Sequence, residues 1–157
     1  MPDTFDFGNG PVPAHRHPNG NGWVADTAKV SDTAFIGENA RVYGNTKVYG
    51  NAKVYDNAIV SGNAEVYGCA RVFSNAEVSG CAEVYGDARV FGNAVVYGDA
   101  KVFDDAKVSG GAKVFGNAEV YGNAAVYGYA VVYGNAEISG DARVLGNLHI
   151  HGDALID

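Results

Sequence analysis

The chain has 157 residues, of which 47% are hydrophobic, with a formal net charge of −7 and a pI near 4.9. That length suits one domain, and the acidity disfavours general attraction to nucleic acid or to anionic lipid. No apolar run approaches the length needed to cross a bilayer, and the start, Met1-Pro2-Asp3-Thr4-Phe5-Asp6, lacks the basic-then-apolar pattern of a secretory signal.

A cytoplasmic setting is therefore expected, and the two cysteines, Cys69 and Cys81, fit it. Neither their number nor their spacing suggests a disulfide framework or a zinc site.

Residues 1–22 have no period. Phe5-Asp6-Phe7-Gly8-Asn9-Gly10 leads into a segment holding Pro11, Pro13 and Pro18. The expectation is an irregular N-terminal cap, with Phe5, Phe7 and Val12 plugging the near end of the domain that begins at Trp23. His15 and His17 form an H-x-H pair without a third ligand in sequence, so a capping or solvated role is favoured over metal binding.

From Val24 to Ile156 every sixth residue is valine or isoleucine, 23 positions in all. Four residues after nearly every one stands alanine, as at Ala28, Ala34, Ala40 and Ala52. A period this strict is the signature of a repeat architecture. In a unit such as Glu119-Val120-Tyr121-Gly122-Asn123-Ala124, x-Val-Tyr reads as a short strand with valine on one side and its neighbours on the other. Gly-Asn is turn chemistry, and both residues are expected to supply positive φ. A glycine every six residues argues against a helix. One inward valine cannot stabilise so short a strand, so the units must stack as parallel coils about 4.8 Å apart.

This run of V-x-G-N-A-x units resembles the hexapeptide-repeat family of left-handed parallel β-helices. The resemblance covers residues 23–157 and implies an all-β, single-stranded triangular solenoid with three hexapeptides per coil and seven to eight coils. It departs from the family at the position after the valine, mostly tyrosine or phenylalanine here and often glycine or an acid there. It looks closest to loop-free bacterial and phage members without assigned activity. Members commonly associate as parallel trimers through one face.

Given eighteen residues per coil, outward residues eighteen apart fall into columns. The first face places Ile59, Val95 and Val131 beside Tyr97, Phe115 and Tyr133, the expected homotrimer interface. The second mixes charge, with Lys47, Glu65, Glu83, Lys101, Glu119 and Glu137 beside Tyr49, Tyr67, Tyr85, Phe103 and Tyr121. The third stacks Lys53, Arg71, Arg89 and Lys107 beside Phe73 and Phe91. Those six residues have the ingredients for a nucleotide or small anion, guanidinium for phosphate and ring for base. A solvated or subunit-paired cationic column is the plainer reading.

At the corners, asparagines such as Asn45, Asn63 and Asn123 are expected to form ladders. Asp87, Asp104 and Asp105 gather near one corner and read as acidic turns, since no glycine-rich calcium motif accompanies them. Tyr129 occupies a turn site and suggests a partner contact. Leu148 replaces an inward alanine and is expected as a filler of the last coil. His149 and His151 point outward from one strand of the first face and are weak metal candidates, better read as interface residues.

Acyltransferases and one class of carbonic anhydrase in the resembled family use histidines at subunit junctions and loops between hexads. Here no loop interrupts a hexad and no histidine lies between His17 and His149. The leading expectation is a non-catalytic homotrimer, without cofactor, acting by protein contacts, as a phage or prophage accessory protein engaging a host protein. A small-anion or nucleotide binder is the second, and a degenerate acyltransferase or carbonic-anhydrase-like enzyme the third.

Overall fold

The computed structural model describes residues 3–157. Within them the protein is an all-β parallel solenoid of about seven turns with no helix. Three sheets run its length. The first has ten strands, the second eight and the third seven. In every repeat pair of the three sheets the register is eighteen residues, as in Glu65↔Glu83, Arg71↔Arg89 and Glu77↔Val95. The coils superpose because the hexads are uninterrupted: one inserted residue would rotate every later side chain off its column.

The bore is filled by the six-residue repeat. From Val42 to Ile138 every inward valine or isoleucine is fully buried, interleaved with buried alanines. Alanine is the side chain small enough for the inner corner, and each branched aliphatic contributes on the order of 1.5–3 kcal/mol of burial before entropy is subtracted. Backbone groups are satisfied between coils three times per hexad. In one hexad Glu65 N–H donates to Ala82 O at 2.9 Å, Tyr67 N–H to Val84 O at 3.0 Å and Cys69 N–H to Gly86 O at 2.8 Å.

The corners differ from expectation in one respect. Positive φ belongs to the residue directly after the aromatic, or after the serine that replaces it, such as Gly62 or Gly80 near +69° and +66°, and not to the asparagine position beyond. Asp56, Ser74 and Asp104 take the same conformation without being glycine. The asparagines use their side chains instead. Asn57 Nδ2 donates to Asn75 Oδ1 at 3.3 Å, and Asn117 to Asn135 at 3.1 Å, so the corner ladders do form.

The N-terminal segment is not irregular. β1 (Thr4–Asp6) and β2 (Pro11–Arg16) form an antiparallel hairpin, and β2 pairs antiparallel with β3 (Trp23–Ala25), extending the first sheet. The turn is held by Asp6, whose carboxylate accepts from Gly8 N–H at 2.7 Å and Gly10 N–H at 2.9 Å. The prolines lack donors, yet β2 still pairs through its carbonyls; Pro13 O accepts from Asp26 N–H at 2.9 Å.

Phe5 and Phe7 do not plug the bore. Their rings stack on the outward Trp23 and Tyr43, at 4.7 and 4.9 Å, so they clad the outside of the first sheet, while Val12 is exposed. The bore mouth is covered by residues 17–22 because the upper edge of the third sheet needs backbone partners, which rings cannot supply. Gly22 N–H donates to Ile36 O at 2.8 Å, and Ile36 N–H to Asn19 O at 3.0 Å. At the far end Leu148 is 52% exposed, so it does not fill the last coil. No described residue lies in a helix long and apolar enough to cross a membrane.

Candidate interaction faces

The first sheet carries the apolar column. Ile59, Val95 and Val131 sit on alternate rungs, each half-buried, with Glu77 and Lys113 between them. Alongside runs a ladder of rings. Tyr97 stacks on Phe115 at 4.7 Å, Phe115 on Tyr133 at 5.1 Å, and Tyr133 on His151 at 5.2 Å. Such pairs contribute about 0.5–1.5 kcal/mol each beyond area burial, so part of this column's purpose is lateral stiffening. The six expected interface residues thus lie together on one surface.

The second sheet carries the longest ladder. Tyr49, Tyr67, Tyr85, Phe103 and Tyr121 stack at 4.8–4.9 Å with interplanar angles of 1–6°. The phenols anchor to glutamates of the next rung. Tyr67 Oη donates to Glu83 at 3.2 Å and Tyr121 Oη to Glu137 at 3.1 Å. Burial between neighbouring rings, then the adjacent Glu83 carboxylate, pushes the Tyr67 phenol well above its ordinary value; the same causes raise Tyr85. Lys47 bonds Glu65 at 2.7 Å, and this contact raises the lysine. It is a surface pair that contributes little to stability.

The third sheet stacks Lys53, Arg71, Arg89 and Lys107 on four consecutive rungs, all exposed and none in an ion pair among the described residues. Tyr55, Phe73 and Phe91 stack beside them at 4.9 and 5.0 Å. The six residues expected to hold an anion do not form one site. Arg89 and Lys107 line a cleft with Asp87, Asp105 and Asn123, whereas Lys53 and Arg71 line another with Phe35 and Tyr55. Phe73 and Phe91 line neither.

The histidines separate as well. His15 Nδ1 lies 2.7 Å from Asp26 Oδ1 on the surface. His17 is 3% exposed; with the Nε2–H tautomer it donates to Ser31 O at 3.1 Å, and Nδ1 accepts from Asn19 N–H at 3.2 Å. It is a structural capping residue. His149 and His151 share the outer surface of the first sheet, and no three metal-ligating side chains cluster among the described residues. Cys69 and Cys81 are exposed and free.

Two features escape the repeat pattern. Tyr129, 72% exposed, has its ring over Gly111, one coil above it in the same corner column. A Cβ on Gly111 would stand 2.8 Å from that ring, so the glycine makes room for the tyrosine. The pairing of two odd residues eighteen apart is the signal that could have exposed it. The second is a mainly apolar cleft of about 430 Å³ between the hairpin and the first coil, lined by Phe7, Val12, Pro13 and Tyr43, with Asp26 among its polar groups.

Comparison with known proteins agrees with this architecture. A family model described as the YdcK beta solenoid repeat matches residues 52–68, 82–98 and 118–134, about a third of the chain. Each matched stretch opens on an inward alanine, Ala52, Ala82 or Ala118, and closes on a corner glycine, Gly68, Gly98 or Gly134, one residue short of a full coil. The chain is thus similar to that solenoid repeat over three stretches, each of which contains inward valines and alanines and corner glycines. No curated relative and no solved structure matches the chain.

Proposed function

We propose that the protein is a non-catalytic rod that works by protein contact and associates through its first sheet into a closed homotrimer. The observation that carries this reading is the segregation of outward apolar residues. Ile59, Val95 and Val131 occupy one column, while the equivalent columns of the other two sheets hold charges on most rungs. Half-exposed branched aliphatics on alternate rungs, flanked by a column of rings, are surface that association would bury. A three-fold arrangement closes, so it limits growth where an open contact would make fibres. We read the chain as a left-handed, three-cornered hexapeptide repeat. We place it in the cytoplasm, as a phage-type accessory protein whose remaining faces engage a host protein.

The test is sedimentation velocity on the wild-type protein and on Val95→Lys/Val131→Lys. The wild type is expected at three times the protomer mass. The double variant is expected as a monomer with an unchanged far-ultraviolet circular dichroism spectrum, because both side chains point away from the bore. A wild-type monomer at micromolar concentration would overturn the proposal.

A further inference from the structure

The cationic column of the third sheet is chemically uneven. In its lower half, Asp87 and Asp105 share the cleft of Arg89 and Lys107, so carboxylates already supply negative charge there. In its upper half no carboxylate lines the cleft of Lys53 and Arg71, which measures about 230 Å³. The corner residues preceding these two strands are Asn51 and Cys69, also uncharged. Asp56, the nearest acid in sequence to Lys53, is committed to the Ser74 N–H at 3.1 Å. Two stacked cations without counter-charge repel one another, and a shared anion between them removes that repulsion.

The same cleft has an aromatic side. The ring ladder Phe91–Phe73–Tyr55 stops at Tyr55, because the next rung up holds Gly37. Gly37 lies directly over Tyr55; a Cβ there would stand 2.9 Å from the Tyr55 Cβ. Phe35, on the same strand, leans its ring edge toward Gly37 and is itself wedged against Gly20. Phe35 and Tyr55 thus flank the position above Tyr55 where the ladder column carries no side chain; Phe35 stands in register with Lys53, Tyr55 follows Lys53 on its own strand, and Arg71 lies on the next. A flat group there would continue the ladder by one step.

We propose that this cleft binds a phosphate monoester carried on a planar aromatic group, the chemistry of a nucleoside monophosphate. Arg71 and Lys53 hold the phosphate, and Phe35 and Tyr55 hold the ring. The cleft lies on the third sheet, so this site stands apart from association through the first.

Isothermal titration with adenosine 5′-monophosphate, ribose 5-phosphate and inorganic phosphate tests it. Saturable, one-to-one binding of the nucleotide is expected, about fivefold or more tighter than that of ribose 5-phosphate or inorganic phosphate. Arg71→Gln and Lys53→Gln should each weaken it about tenfold. Arg89→Gln should change it by less than about twofold, since that guanidinium already has Asp87 and Asp105 beside it. All three side chains are exposed and outward, and unchanged thermal melting of each variant confirms that only the surface was altered. Absence of saturable binding overturns the proposal, and so does an equal loss in Arg89→Gln, which would mean a diffuse cationic surface. Ribose 5-phosphate or inorganic phosphate binding as tightly as the nucleotide overturns the aromatic half of the site.

Discussion

Thr46 is the one residue before the last coil that breaks the inward alanine column from Ala34 onward, and it is fully buried with its hydroxyl unpartnered. An unsatisfied buried hydroxyl costs about 1–3 kcal/mol. Valine has nearly the same shape and no polar atom, so Thr46→Val should raise stability by about 1–2 kcal/mol, read from the urea midpoint; a lower midpoint would show that the hydroxyl has a partner. The tyrosines of the second sheet make a pH prediction. Tyr49, Tyr67 and Tyr85 all have their phenols raised above the ordinary value of 10.0, chiefly by burial in the ladder. A raised folded-state value means that the unfolded chain releases the proton first as pH rises. Stability from these groups is fully present below about pH 10 and is lost above it. Lys47, raised by Glu65, acts in the same direction. The melting temperature should therefore hold up to about pH 10 and fall beyond, and Tyr67→Phe should flatten that fall.

At the scale of the element, the corner glycines combine two constraints. Gly80 has φ near +66°, and a Cβ there would meet Gly98 N at 2.8 Å and Gly98 O at 3.0 Å. Gly146 has φ near +70° with nothing within 4 Å of the same point. Left-handed backbone costs an L-residue about 1–2 kcal/mol, so Gly146→Ala should lose about that much. Gly80→Ala should lose about 1–3 kcal/mol more, because backbone of the next coil cannot step aside. Equal losses in chemical denaturation would mean that coils do not press on one another at the corners. These contrasts also mark what is legible in the sequence. The inward column, the three sheets and the ring ladders come from a period that repeats without interruption, and each is seen in the structure. The hairpin is hidden because Pro11 and Pro13 argue locally against a strand, although Asp6-Phe7-Gly8-Asn9-Gly10 holds the turn signal that the Asp6 carboxylate uses. The division of the cationic column is hidden because it depends on which corner acids line which cleft. That is lateral geometry, whereas the repeat announces only vertical neighbours.

Across the whole molecule, two periods are superposed: six residues in the bore and eighteen on the surface. The bore cannot tell one sheet from another, since each contributes the same valine and alanine. The apolar column exists only because Ile59, Val95 and Val131 return at multiples of eighteen. The two periods can be separated by deletion. Removing residues 113–130 takes out one full coil and brings Val131 directly beneath Val95, with Tyr133 beneath Tyr97. Removing residues 113–118 takes out one hexad; the bore continues unbroken, but Val131 and Tyr133 rotate onto the third sheet and leave Val95 and Tyr97 behind. Nearest-neighbour stabilisation predicts that both variants fold, each with a somewhat lower melting temperature than the full rod. Association through the first sheet predicts that they differ in mass: the eighteen-residue deletion sediments as a trimer and the six-residue deletion as a monomer. A six-residue deletion that unfolds would show that surface ladders, rather than the bore, hold the coils in place. One that folds and remains trimeric would move the interface off the first sheet, because no column on that variant joins Val95 to Val131.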